Sequence, residues 1–236
     1  MKIDLKDIVN KHENKRAFIA MLGTSLNEVL PDLEKMSKDK NNDDIFISCN
    51  LYSQMCDIHT DYFIVTNNQP VMSLESAYEI YNKTNSTLVF SSRIKGFSID
   101  SANKHLTCDW VAINDFLNAK DSLQDCFKEY TEGEVYGSVL TVLCHTIALG
   151  VVAGSKEIYI AGADLDYSKG YVKEKAHPSG VSLGKRIMND KAKKDTINQI
   201  NKIKKSAENK GVKIYCLNES SPLCEILEHK KIDDIK

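Results

Sequence analysis

The chain has 236 residues, 42% of them apolar and 27% charged, with a formal net charge of -2. That length suits one well-buried core, and that charge offers no overall attraction to nucleic acid, which is not an expected partner. Seven cysteines stand singly and odd in number, with no Cys-x-x-Cys pair, which argues against a disulfide framework or zinc knuckle and suits a reducing compartment.

Residues 1–15 read as a polar lead-in. Ile3, Leu5, Ile8 and Val9 make at most one weak amphipathic turn, so a loosely docked or frayed end is expected. No apolar run follows the first charges, so no secretory signal is expected, and no stretch of eighteen apolar residues occurs anywhere. The expected location is cytoplasmic, with peripheral attachment at the inner membrane face left open.

Residues 16–236 read as a single domain in which strands alternate with helices. Ala17–Leu22 is a short apolar run followed by Gly23-Thr24-Ser25, then by Leu26, Val29, Leu30 and Leu33 at helical spacing. This predicts a strand, a tight turn and a helix, with Thr24 or Ser25 as N-cap and Glu28 completing a capping box from Ser25. Ile45–Cys49 predicts a second strand ending at Asn50, and Tyr62–Thr66 a third ending at Asn67. Ser73–Lys83 reads as a helix and Thr87–Ser91 as a strand, whereas Arg93–Lys104 shows no clear period and reads as loop or edge structure. Val111–Tyr130, after the sole Trp110, reads as one or two helices.

Gly137-Ser138 opens a helix too apolar for a surface, which runs to a Gly-bounded break and a buried strand at Glu157–Ala161. A polar loop with Asp164, Asp166, Tyr167 and Tyr171 follows. Lys191–Lys210 predicts a lysine-rich helix with a buried stripe of Ile197, Ile200, Ile203 and Ala207 and a solvated outer face, ended by Gly211. Val212–Leu217 predicts the last strand and Leu223–His229 a closing helix. The expected fold is α/β, a doubly wound, mostly parallel Rossmann-like sheet.

In such sheets ligands bind at the carboxyl ends of strands and at helix N-termini. Gly23-Thr24-Ser25 and Gly137-Ser138 are candidate anion-binding turns. Neither is a P-loop, and Ser25 and Glu28 stand where a dinucleotide fingerprint needs glycine. Asn50 and Asn67 end two candidate strands, where Asn serves either turn chemistry or a ligand. Asp164 and Asp166 suit a base, a partner for a sugar hydroxyl or a divalent-cation ligand, the alternative being a loop Asp that caps a turn. His177 lies in a polar loop near the same edge, as bystander or proton acceptor, while His145 within the apolar helix reads as a core residue.

The segments GSVLTVLCHTIALG and KEIYIAGADLDY resemble the centre of the bacterial sialyltransferases of the Campylobacter lipooligosaccharide type. Gly211–Leu217 with Ser221-Pro-Leu223 is similar to that family's last strand, and Phe18–Leu26 to its first turn. The GSV helix, the Gly-x-Asp-Leu strand end and Ala176-His177 also resemble a wider group that includes hydroxymethylpterin diphosphokinases and flagellin nonulosonate transferases. The resemblance implies an enzyme, a glycosyltransferase moving a sialic-acid-like or other sugar from a nucleotide donor, most simply a CMP-sugar, to a surface glycan of lipooligosaccharide or capsule. It implies no required cofactor or metal, with Mg²⁺ needed only under the diphosphokinase alternative; a noncatalytic nucleotide- or glycan-binding relative is the third alternative, and self-association stays open. It assigns Gly23, Thr24 and Ser25 to the donor phosphate, and Asn50, Asn67, Gly137 and Ser138 to the rest of the donor. Tyr167 and Tyr171 would stabilise the leaving phosphate, and His177 or a nearby Asp, such as Asp164, would take the acceptor proton. Met21-Leu22 replaces the family's Gly-Asn before the turn, and the family's catalytic His falls near Asn189-Asp190 rather than at His177.

Overall fold

A computed structural model describes residues 1–49, 56–65, 78–79, 81–91, 98–113, 141–166, 172 and 190–235. Eight strands form one sheet: β1 (Arg16–Ala20), β2 (Ile45–Cys49), β3 (Tyr62–Val65), β4 (Thr87–Ser91), β5 (Trp110–Ile113), β6 (Glu157–Ala161), β7 (Lys213–Cys216) and β8 (Glu228–His229). Their order is β5-β4-β3-β2-β1-β6-β7-β8, and every pairing is parallel. Four α-helices are described: α1 (Leu30–Lys38), α2 (Ile99–His105), α3 (Val142–Val152) and α4 (Asp190–Glu208).

A parallel sheet covered on both faces needs strands that are apolar throughout, and these strands divide the work by residue type. One face is mainly aliphatic: Ala17, Ile19, Ile45, Ile47, Ile158 and Ile160 pack beneath α3 and the Ile200, Ile203 and Ala207 stripe of α4. The other is mainly aromatic. Phe46, Phe18, Tyr159 and Tyr215, on four neighbouring strands, stack with ring centroids 5.3, 5.1 and 5.1 Å apart. Leu30 and Leu33 of α1, Ala102 of α2 and Ile232 near the C-terminus cover that face.

Since α1 and α4 lie on opposite faces, the chain winds outward in both directions from the β1–β6 pair. That pair is the topological switch point, the place where such sheets leave a crevice. Helix α3 shows the cost of its position: every residue from Leu143 to Val152 is buried, His145 among them. A helix apolar on all sides is a buried helix. Among the described residues no helix is long and apolar enough to cross a membrane.

Several expectations are corrected. The lead-in is docked rather than frayed: Leu5 and Ile8 are buried, Lys2 bridges to Trp110, and the amides of Asn10 and His12 donate to Val152 and Ala153 at the end of α3. Its few apolar residues suffice because they fall on a ready-made core. Trp110–Ile113 is strand β5 where a helix is expected from Val111, since both its faces are covered; residues 114–130 of that expected helix lie outside the described residues. Residues 99–105 within the aperiodic stretch form α2, capped by the Ser98 hydroxyl accepting from Ser101 N–H. The closing segment is not an α-helix. Pro222–Glu225 is one 3-10 turn, and Glu228–His229 then pairs beside β7, which is therefore not the last strand.

Helix α4 matches its forecast. It stops at a left-handed Gly211 (φ 76°), with Val212 N–H bonded to Ala207 O and Gly211 N–H to Glu208 O, a two-bond glycine C-cap.

Candidate functional site at the switch point

The predicted capping box is also corrected. Thr24–Glu28 is a 3-10 turn whose N-cap is Gly23, and α1 begins only at Leu30. The donors of this turn are taken instead by a carboxylate from the far side of the switch point. Asp164 Oδ2 accepts from Ser25 N–H at 3.1 Å and from the Thr24 hydroxyl at 3.2 Å, and its Oδ1 accepts from the Ser25 hydroxyl. Glu28 turns away from Ser25, its Oε2 accepting from the Asn218 amide at 3.2 Å.

The close approach rests on two glycines. Met21 N–H bonds to Ala161 O and Gly23 N–H to Gly162 O, both at 2.9 Å, so β1 and β6 stay paired past their ends. A Cβ on Gly23 would sit 2.6 Å from Asp164 Cγ, and one on Gly162 would sit 2.5 Å from Met21 O. Gly162 is also left-handed (φ 69°), and Leu165 (φ 51°) is held left-handed while buried. A bulky residue in that region is uncommon and costs on the order of 1 kcal/mol, so the packing around Leu165 over-determines how the Asp164 loop is displayed.

A third strand end completes the knot. Asn218, fully buried after β7, accepts from Gly162 N–H at 2.8 Å and donates to Ser25 O at 2.8 Å. Ser221 donates to Ala163 O at 2.8 Å. The loops after β1, β6 and β7 are thus joined by side-chain bonds to backbone groups, and they floor a cleft of about 780 Å³. Five carboxylates line it, those of Glu28, Asp164, Asp166, Glu219 and Glu225, with Lys193 of α4 as the cation among the lining residues.

No protein-family model and no curated protein matches the chain. What the cleft can do follows from its own groups.

The structure brings together Gly23, Thr24, Ser25 and Asp164 of the sequence-predicted set. Asn50, Asn67, Gly137, Ser138, Tyr167, Tyr171 and His177 lie outside the described residues; α3 begins at Val142 with Thr141 as its N-cap, so the expectation that Gly137-Ser138 opens that helix is corrected. The amide and both hydroxyls of the Gly23–Ser25 turn already serve Asp164, so an anion entering there competes with a bound carboxylate and meets a negative wall. Sugar and ribose hydroxyls, which donate to carboxylates, suit that wall better. Among the described residues no three His, Cys, Asp or Glu side chains converge as a metal site.

Asn218 and Lys193 are not singled out by the sequence, and Ser221 enters there only through the resemblance, not as a site residue. Asn218 carried the same signal as Asn50 and Asn67, an Asn at the carboxyl end of a predicted strand. A larger cleft of about 930 Å³, beside Lys38, Asp57, His59 and Asp61, opens at the amino ends of β2 and β3. It holds none of the predicted site residues, and strand amino ends are not where ligands bind in this architecture.

Proposed function

We propose that the protein is a glycosyltransferase that takes a sialic-acid-like or related sugar from a nucleotide donor, most simply a CMP-sugar, and delivers it to a surface glycan. The observation that carries this reading is the meeting of the Gly23–Ser25 turn with Asp164 at the β1–β6 switch point, above a cleft whose carboxylates and hydroxyls suit a polyhydroxylated ligand. The resemblance to the sialyltransferases supports it from the sequence side. In this reading Asp164 holds the Thr24 and Ser25 hydroxyls in fixed directions, so that the turn meets the donor preorganised. The phosphate is left to donors elsewhere, for which the Gly137-Ser138 turn, Tyr167 and Tyr171 are the sequence candidates, and His177 takes the proton of the acceptor hydroxyl. A cytoplasmic enzyme touching the inner membrane face would meet such acceptors during their synthesis.

The rival is a Mg-dependent pterin diphosphokinase. It is favoured by the five carboxylates on one cleft, since phosphates approach such a wall with a divalent cation.

A thermal-shift screen against CMP, CDP, UDP, GDP and ATP, each with and without Mg²⁺, separates them. A ligand at a hundred times its Kd stabilises the fold by ~2.7 kcal/mol, a readable shift. Metal-independent stabilisation by CMP supports the transferase and leads to a CMP-sugar transfer assay, in which His177→Ala should abolish turnover. A response to ATP only with Mg²⁺ transfers the assignment to the diphosphokinase. Silence across the panel sinks both and leaves the noncatalytic binding protein.

A further inference from the structure

Cys216 ends β7 and Cys224 lies on the 3-10 turn that follows it. Their thiols converge. Each donates to the same oxygen, Asn218 O, at 3.3 Å, so the two sulfurs lie no more than twice that distance apart. Cys216 is buried, whereas Cys224 is partly exposed and lines the switch-point cleft. One thiol is thus open to small solutes while its neighbour is held beside it under cover, the arrangement of an attacking and a resolving cysteine.

We propose that Cys216 and Cys224 form a reversible redox site in the wall of the cleft, closing to a disulfide when a hydroperoxide reaches Cys224. The Cys224 sulfur attacks one peroxide oxygen. The O–O bond breaks, the other oxygen leaves as an alcohol or water with the thiol proton, and Cys224 becomes a sulfenic acid. The Cys216 sulfur then attacks the Cys224 sulfur, forming the S–S bond and breaking the S–O bond. The hydroxyl departs as water with the Cys216 proton. The two thiols lose two electrons in total, and the hydroperoxide is reduced by two.

Burial pushes the Cys216 thiol up to about 12. Burial also shields it from the oxidant, and as a thiol it must hand its proton to the hydroxyl leaving Cys224 as the S–S bond forms. Cys49 and Cys144, pushed up by burial to about 12 and about 11, serve as unreactive internal controls. The bond would strip Asn218 O of both S–H donors. That carbonyl belongs to the residue whose side chain ties Gly162 to Ser25, so oxidation acts on the cleft wall itself. The redox site would operate whether or not the cleft transfers a sugar.

The test uses the full chain, folded and reduced, exposed to limiting hydrogen peroxide, quenched, unfolded, alkylated with iodoacetamide and digested with trypsin. Cleavage after Lys213 and Lys230 releases one peptide that holds both cysteines and no other. The expected result is a peptide lighter by two hydrogen atoms that takes up no alkyl group, restored by dithiothreitol, while the Cys49 and Cys144 peptides stay fully alkylated. In Cys216→Ser the sulfenic acid on Cys224 should accumulate and be trapped by dimedone, and in Cys224→Ser the Cys216 thiol should remain alkylatable. Two alkylated cysteines in the oxidised wild-type peptide, or dimedone-trapped Cys224 in wild type at the level of Cys216→Ser, would overturn the proposal. The wild-type measurement stands even if a variant fails to fold.

Discussion

At the scale of single residues, Asn218 ties the switch point together without a charge. Its side chain satisfies Gly162 N–H and Ser25 O, both backbone groups inside the knot. Leaving a buried donor or acceptor unpaired costs about 1–3 kcal/mol per group. Asn218→Ala should therefore lower the unfolding free energy by at least about 2 kcal/mol in urea titration, whereas Asn198→Ala on the exposed face of α4 should stay within about 0.5 kcal/mol of wild type. Equal midpoints for the two variants would refute the role given to Asn218. Asp164 is the second such residue. A sequence reading sees a carboxylate at a strand mouth and offers base, ligand or cap, and the decision among these depends on Ser25, 139 positions away in sequence.

At the scale of elements, the lead-in is the clearest test of docking against fraying. Ile8 is fully buried among residues of the aliphatic core, and a buried Ile truncated to Ala typically costs about 2–5 kcal/mol. Ile8→Ala should lower the unfolding free energy measured in urea by that amount, and an unchanged free energy would mean the segment is not part of the core. The segment 24–28 makes a complementary point. Its composition satisfies a capping-box pattern, yet it winds as a 3-10 turn because Asp164 offers its donors a better acceptor than its own Glu28. Helix α4, by contrast, is decided locally, since its apolar stripe and its terminal glycine need no distant partner to be recognised.

At the scale of the whole molecule, the N-terminal segment couples stability to pH. His12 Nε2 lies 2.8 Å from the Tyr62 hydroxyl on β3. Burial lowers its pKa below the ordinary 6.5, with Lys11 and Lys15 adding to the shift and Asp61 opposing it. A histidine with a depressed folded pKa favours the neutral form on folding. Its contribution is present above 6.5 and is lost as the pH falls from there through the folded value, because the unfolded chain takes up the proton first. Thermal unfolding followed from neutral into mildly acidic pH should show wild type losing stability over that window more steeply than His12→Gln. Parallel profiles would sink this coupling.

The alternation of apolar runs with amphipathic helices is sufficient to place β1, β2, β3, β4, β6 and β7 and the body of α4, and with them the doubly wound parallel sheet, because strand and helix periodicities are local properties written into consecutive residues. The left-handed glycine after α4 and the buried character of α3 were legible for the same reason. Strand β5, helix α2 and the docked lead-in were not. Their apolar residues are too few to set a period, and only surfaces supplied by other strands make burying them favourable. The site divides along the same line. Gly23, Thr24, Ser25 and Asp164 could each be picked out as residues at strand ends, but their bonding to one another, and the place of Asn218 between them, arise from three loops that the sheet order alone brings to one edge.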